Sequence, residues 1–355
     1  MGLPATQKAL VVLEPGKVGV TNTKPLPSLE SEPDAVLVLV HAVSINPTDW
    51  KHVERLLKPG QSVGCDFAGV VVALGAKAEG KGVKVGDAVA GFVRGGFVDP
   101  DNGAFQEYVR QYPELLWKKP QSLSFEDAAP MGGIVLSTAA QGLYDRLGLP
   151  KPWDTSATPI QTPILIWAGS TGVGLYAIKL AKLSGLRVAT TGSPRNHDVL
   201  KSIGADVVFD YNDSETPAKL KEWAAQYGGF RHAYDCISEY GSTKKIAAAF
   251  TEHGGHIIRI LTIKEEVDGL PDNIKTEPIL IYSVLKKKNE KDFADHVEWY
   301  KHLPDLIASG KLTPVPRKHW EGGLEALPEG LEYLKSGKAS AQKITFTVSE
   351  ATSHL

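Results

Sequence analysis

The stretch from Pro163 to Asn196, PILIWAGSTGVGLYAIKLAKLSGLRVATTGSPRN, sets a glycine turn between a short apolar run and a helical pattern. Strand, tight turn and helix in that order make a cradle for a diphosphate. Gly169 closes the strand where a side chain would block the turn, Gly172 lets backbone approach phosphate, and Gly174 permits close helix packing. The helix that follows offers unpaired N–H groups and the positive end of its dipole. Nucleotide binding is therefore the first expectation.

The second apolar run ends in Thr191, Gly192, Ser193, Pro194, Arg195 and Asn196. About 20 residues past the glycine turn, an NAD-binding fold places an acid on the ribose hydroxyls. Here no acid stands to repel a 2′-phosphate. Ser193 and Asn196 can donate hydrogen bonds and Arg195 adds a charged fork, so the pocket favours NADPH. Pro194 and Asn196 could instead cap a helix, which accounts for those two residues but not for the missing acid.

From Ile164 onward, strand and helix patterns alternate: ILIWAG, Val173 to Ser184, RVATTG, Asn196 to Ile203, DVVFDY, Pro217 to Tyr227, HAYDCI, Ser242 to Glu252 and HIIRIL. Alternation of this kind predicts a doubly wound parallel sheet with crossover helices. The earlier part, with β-rich runs over 8–20 and 35–45 and Gly-Asp turns after them, reads as an irregular β-rich domain. SFEDAAPMGGIVLSTAAQGLY reads as one helix carrying the chain between domains, with Ser124 as its cap ahead of Asp127. A Pro/Thr/Ser-rich connector spans Pro150 to Pro163. A further helix is expected over Lys291 to Ser309, and the strand-like QKITFTV could complete the first domain's sheet.

A length of 355 residues favours two domains, and a net charge of −2 offers no field for nucleic acid or an anionic membrane. Cys65 and Cys236 are the only cysteines, too few for a disulfide framework or a four-cysteine zinc lobe. No apolar run reaches the roughly 20 residues of a membrane span, and no secretory leader is visible. These features point to a cytoplasmic protein. Met1 to Thr6 fits a loose myristoylation pattern, but a lone acyl chain without a polybasic patch anchors only marginally, so the segment is read as a plain terminus. Ser353, His354 and Leu355 differ by one basic-for-basic change from the Ser-Lys-Leu address, which leaves peroxisomal delivery open.

The stretches AVSINPTDWK, GCDFAGVVVALG, VGDAV, GAFQEYV, SFEDAAPMGG, AGSTGVG and FDY resemble the medium-chain dehydrogenase/reductase superfamily over nearly the whole length. AVSINPTDWK, the connector, GSPRN and the closing GGLEALPEGLEYLKSGKASAQKITFTV resemble the fungal trans-acting enoyl reductases of polyketide synthases and related toxin-cluster reductases. The resemblance implies a GroES-like substrate domain from both chain ends (1–125 and 310–355) around an inserted Rossmann NADPH-binding domain (126–309). It also implies secondary metabolism, an enoyl chain carried by a synthase as partner, and a monomer or homodimer.

Zinc alcohol dehydrogenases of this superfamily place a metal cysteine where Asn46 stands and His-Glu where Cys65 and Asp66 stand. One soft ligand without such neighbours cannot make a three-ligand catalytic site, so no metal is expected and Cys65 reads as a small buried residue. Hydride addition to a conjugated carbon–carbon double bond needs only placement and a donor for the developing enolate. The resemblance carries Lys51 to the catalytic donor role, and Thr138 to the substrate side as a second catalytic residue; by residue type alone Lys51 could be a solvated surface lysine and Thr138 a helix N-terminal cap or a packing residue. It places the cofactor on Thr48, Asp49, Lys51, Ser170, Thr171, Gly172, Val173, Ser193, Arg195, Asn196, Tyr211 and Leu261, near Ser340 and Ala341, beside the turn glycines Gly169 and Gly174. The acyl pocket takes Thr138, Ala139, Gln141, Gly142 and Asp145 from one stretch and Ile279, Tyr282 and Ser283 from another. Three functions stay open: a trans-acting NADPH-dependent enoyl reductase, a free-standing NADPH quinone or enone oxidoreductase, and a non-catalytic NADPH-binding protein.

Overall fold

The computed structural model describes residues 2–154 and 161–349. The closing Ser353, His354 and Leu355, and part of the Pro-rich connector, lie outside the described residues. Packing divides the chain into two units. The first comprises the chain up to Ile134, Val284–Ala339 and the part from Lys343; the second comprises Val135–Ser283 and Ser340–Gln342.

In the first unit, β1 (Thr6–Glu14) and β2 (Lys17–Pro25) form an antiparallel hairpin. β3 (Val36–Ser44), rich in Val and Leu and buried nearly throughout, pairs antiparallel with β4 (Asp66–Leu74). β5 (Ala88–Phe92) follows β4 in the sheet, β6 (Tyr108–Gln111) pairs with β3, and β7 (Leu116–Lys118) pairs with β5. Between β3 and β4 lies helix α1 (Pro47–Arg55), started by a proline whose missing N–H costs nothing there.

The predicted helix over SFEDAAPMGGIVLSTAAQGLY is broken. α2 (Phe125–Met131) stops at Gly132, and α3 (Ile134–Ala140) begins past Gly133 and runs into a π turn over Gln141–Arg146. The break follows from close approach. A Cβ on Gly132 would fall 2.6 Å from Trp117 Nε1, and one on Gly133 would fall 2.3 Å from the Asp66 carboxylate. At the front of α2, Ser124 Oγ accepts the Asp127 N–H at 3.0 Å, the cap the sequence predicts.

The second unit is a six-stranded parallel sheet flanked by helices: β8 (Pro163–Trp167), β9 (Arg187–Thr191), β10 (Val207–Phe209), β11 (His232–Asp235), β12 (Gly255–Arg259) and β13 (Ile274–Pro278). Their order, β10-β9-β8-β11-β12-β13, is that of a doubly wound dinucleotide fold. Its crossovers are α4 (Gly172–Leu183), α5 (His197–Ser202), α6 (Thr216–Ala225) and α7 (Ser242–Ala248). Leu165, Ala189, Phe230, Ala233 and Ile257 form its core.

The chain then returns to the first unit with α8 (Glu290–Ala308), β14 (Arg317–His319), α9 (Gly323–Lys335) and β15 (Lys343–Thr347). β15 pairs antiparallel with β3, completing that sheet, and Leu327, Leu331 and Phe346 pack with Val38, Val40 and Phe67. α8 was expected within the nucleotide-binding segment 126–309, yet it packs in the first unit. The Tyr300 hydroxyl donates to the Gly132 carbonyl at 2.6 Å, and the His296 ring meets Phe92 edge-on with centroids 5.6 Å apart. Among the described residues no helix is long and apolar enough to cross a membrane.

Candidate active site

In the second unit the glycine turn joins β8 to α4. Thr171 caps the helix: its Oγ1 accepts the Gly174 N–H at 3.1 Å and donates to the Ala168 carbonyl at 2.9 Å. Side chains are excluded where the sequence predicts. A Cβ on Gly169 would lie 2.2 Å from Thr190 Oγ1, and one on Gly174 would lie 2.5 Å from the Ala168 carbonyl oxygen. Ala168 takes a left-handed conformation, φ 60°, unfavourable for a residue with a Cβ and held here by its N–H bond to Thr191 Oγ1 at 2.9 Å.

Three contacts draw the predicted cofactor residues together. Ser193 Oγ lies 3.4 Å from the Tyr211 hydroxyl, Asn196 Nδ2 donates to Ser340 Oγ at 2.8 Å, and the Ala341 N–H donates to the Ser170 carbonyl at 2.9 Å. Asn196 opens α5 without a side-chain cap bond, so its amide serves Ser340 instead of the helix. Arg195 is exposed beside them. Of the carboxylates nearest in sequence, Asp198 is exposed on α5, and Asp210, which follows β10 beside the end of β9, accepts the Asn212 N–H. A turn closed to side chains and a capped helix of 12 residues fit a dinucleotide diphosphate.

Also in this unit, the two predicted acyl stretches meet where Gln141 Nε2 donates to Ser283 Oγ at 3.4 Å. Thr138, Gln141, Ile279 and Tyr282 are buried. Gln141 Oε1 and the neighbouring Ser137 Oγ are buried with no hydrogen-bond partner. Sequence reading missed Ser137, and it missed Tyr234, whose hydroxyl donates to the Thr138 carbonyl at 2.6 Å.

In the first unit, α1 carries Thr48, Asp49 and Lys51. Thr48 Oγ1 lies 3.1 Å from His52 Nε2; burial, with Arg94 nearby, pushes His52 down to about 4, so the pair is neutral at pH 7. Lys51 Nζ lies 5.6 Å from the centre of the Trp50 ring. Asp49 is buried under the helix start, its Oδ2 accepting the Asn46 N–H at 2.7 Å. Burial, reinforced by the nearby Asp66 carboxylate, pushes Asp49 up to about 7.

Asn46 and Asp66, two of the positions where the zinc enzymes carry ligands, belong to a buried polar cluster with Lys343 of β15. Asn46 Nδ2 donates to Asp66 Oδ2 at 2.8 Å, and Lys343 Nζ donates to Asn46 Oδ1 at 2.5 Å and the Ile45 carbonyl at 2.8 Å. Lys343 Nζ stands 3.7 Å from Asp66 Oδ2, whose other oxygen accepts the Ile134 N–H at 2.8 Å. Burial raises Asp66 and lowers Lys343, each toward its neutral form, while their mutual attraction opposes it. An amide, a thiol and a carboxylate already paired with an ammonium do not fit a zinc ion, which needs deprotonated sulfur, imidazole or free carboxylate donors. Among the described residues no three His, Cys, Asp or Glu side chains are grouped to hold a metal. Sequence analysis missed Lys343.

Comparison with known proteins places this geometry. Residues 32–121 match the family described as Alcohol dehydrogenase GroES-like domain, and residues 172–288 match that described as Zinc-binding dehydrogenase. Trans-enoyl reductase ACTTS2 of Alternaria alternata is 37% identical over 353 residues, covering 97% of this chain and 99% of that protein. Trans-enoyl reductase poxP of Penicillium oxalicum is 34% identical over 363 residues, covering 98% of this chain and 94% of that protein. A solved alcohol dehydrogenase superfamily protein from Novosphingobium aromaticivorans is 25% identical with a TM-score of 0.78, covering 97% of this chain and 100% of that one. With this identity sustained from end to end, the chain belongs to the medium-chain dehydrogenase/reductase superfamily and, within it, to the trans-enoyl reductases.

Proposed function

We propose that the chain is an NADPH-dependent enoyl reductase that acts in trans on an enoyl thioester carried by a polyketide synthase. The observation that carries this reading is the end-to-end identity with proteins named trans-enoyl reductases. The family's fold takes a nicotinamide cofactor, and the lack of an acid from Thr191 to Asn196, with Ser193, Arg195 and Asn196 in its place, supports the phosphorylated form. When bound, that cofactor supplies the hydride for the β-carbon of the conjugated double bond.

The second unit holds the dinucleotide. The N–H groups at the start of α4, with Ser170 and Thr171, hold the diphosphate, and Ser193, Arg195, Asn196 and Tyr211 hold the ribose phosphate. Ser340 and Ala341, tied to Asn196 and Ser170, brace both. The first unit carries Thr48 and Lys51 on α1, whose start the buried Asp49 fixes through the Asn46 N–H. Lys51 donates a hydrogen bond to the enolate oxygen as negative charge develops there, worth about 3 kcal/mol in the transition state. Thr138 and Gln141 line the acyl chain, and a proton reaching the α-carbon completes the reduction.

NADPH oxidation measured with enoyl thioesters, free enones and quinones tests the reading. Turnover of enoyl thioesters well above the others is expected. Turnover of quinones alone would overturn it.

A further inference from the structure

α3 does not end as an ordinary helix. Over Gln141–Arg146 it widens into a π turn in which the Leu147 N–H reaches the Gly142 carbonyl at 3.0 Å. Such turns are less well bonded than α-helix and persist where surrounding structure holds them, often at functional sites. This one is held at both ends. At its far end Arg146 pairs with Glu277 of β13 at 3.2 Å. At its near end stands Tyr234, in the middle of the parallel sheet and fully buried between Ile166 of β8 and Ile258 of β12.

Tyr234 makes two contacts there. Its hydroxyl donates to the Thr138 carbonyl at 2.6 Å, satisfying a backbone acceptor just ahead of the widened turn. Its ring lies against Gly142 so closely that a Cβ at that position would be 2.5 Å from the ring carbons. The turn so fixed leaves Ser137 Oγ and Gln141 Oε1 buried and unpartnered, at a cost of about 1–3 kcal/mol each. Polar atoms kept in that condition next to Thr138 are poised for a ligand.

We infer that Tyr234 is a positioning residue: its hydroxyl and ring set the π turn that aims Thr138 and Gln141 at the acyl substrate. This rests on the reading that those two residues face the enoyl chain. A phenylalanine would keep the ring and its packing but release the Thr138 carbonyl, leaving the turn free to relax toward α-helix and rotating Thr138 away.

The test is a double-mutant cycle of Tyr234→Phe and Thr138→Val, read as kcat and KM with an enoyl pantetheine thioester and as the NADPH dissociation constant. Tyr234→Phe should lower kcat about three- to tenfold while NADPH affinity stays within about twofold. Added to Thr138→Val it should cost clearly less than it does alone, because part of its effect runs through the Thr138 side chain already removed. Unchanged kcat in Tyr234→Phe, or additive losses in the double variant, would overturn the inference. If Tyr234→Phe does not accumulate as folded protein, Gly142→Ala takes its place in the cycle with the same expected pattern. Failure of both to fold would make the contact structural and also overturn it. Should wild type reduce enones or quinones but no enoyl thioester, the functional reading fails by itself, and the same cycle run with the accepted substrate still decides the role of Tyr234.

Discussion

Asn196 and Ser340, 144 residues apart in sequence, are joined by a 2.8 Å hydrogen bond from amide to hydroxyl. The bond explains why Asn196 is 6% exposed at the start of a helix it does not cap. It fixes the Ser340–Gln342 segment against the residues that follow β9.

Dinucleotide choice is the first expectation to check. With no acid at the end of β9, and with charge-assisted bonds from Ser193, Arg195 and Asn196 worth roughly 1.5–3 kcal/mol each, NADPH should bind at least about tenfold tighter than NADH. Ser193→Asp should bring a like charge to the phosphate and shrink or reverse that preference, with less effect on NADH. Fluorescence titration of both cofactors measures it, and equal wild-type affinities would count against the assignment.

Lys343→Met should destabilise the fold by about 3–5 kcal/mol, because it strands Asp66 and Asp49 inside the protein without their cation. Pairing it with Asp66→Asn, which removes the nearer charge, should recover part of the loss. Urea midpoints of the three proteins give the answer; equal midpoints for wild type and Lys343→Met would mean that Lys343 compensates no buried charge on Asp66 or Asp49.

Asp49 gives stability a pH dependence of unusual sign. Its carboxyl is pushed up to about 7 in the fold, whereas it titrates near 4 in the unfolded chain. Between those values the folded state holds the proton more often, so this group's contribution falls as pH rises through that window and levels off above it, by at most about 1.4 kcal/mol per pH unit. Asp49→Asn cannot titrate. Its urea midpoint should therefore gain on that of wild type from pH 5 to pH 7, and a difference independent of pH would contradict the assignment.

Lys51→Ala and Thr138→Val should fold normally and bind NADPH within several-fold of wild type while losing much of kcat. For Lys51 the loss should approach a hundredfold if it is the main enolate donor. Single-turnover rates with an enoyl thioester separate this from slower product release. Full activity in both variants would leave the reduction to other residues.

Reading the sequence recovered what local pattern and turn chemistry encode. The strand–helix alternation of the second unit, the exclusion of side chains at Gly169, the Ser124 cap and the return of the closing strand to the first sheet are all in the fold. What escaped depends on partners far away in sequence. The helical period runs unbroken through Gly132 and Gly133, and only Trp117 and Asp66, folded against them, require the break. α8 looks like any amphipathic helix until Tyr300 finds the Gly132 carbonyl. Lys343 in a buried strand and Tyr234 in an apolar one were the available signals, since such side chains rarely go inside without a partner. Periodicity could say that partners exist, but not that they are Asn46, Asp66 and Thr138.

The closing strand has a consequence for how the protein is made. The second unit's sheet draws on one continuous stretch, from β8 to β13, and can assemble as soon as that stretch has left the ribosome. β3 has no such luck: the strand beside its Ser44 end, and the ammonium that bonds to Ile45, arrive 298 residues later. Throughout that interval the Ala42–Ser44 end of β3 lacks the strand that covers it and Asp66 lacks its cation, so the first unit can complete its sheet only after the whole of the second has been made.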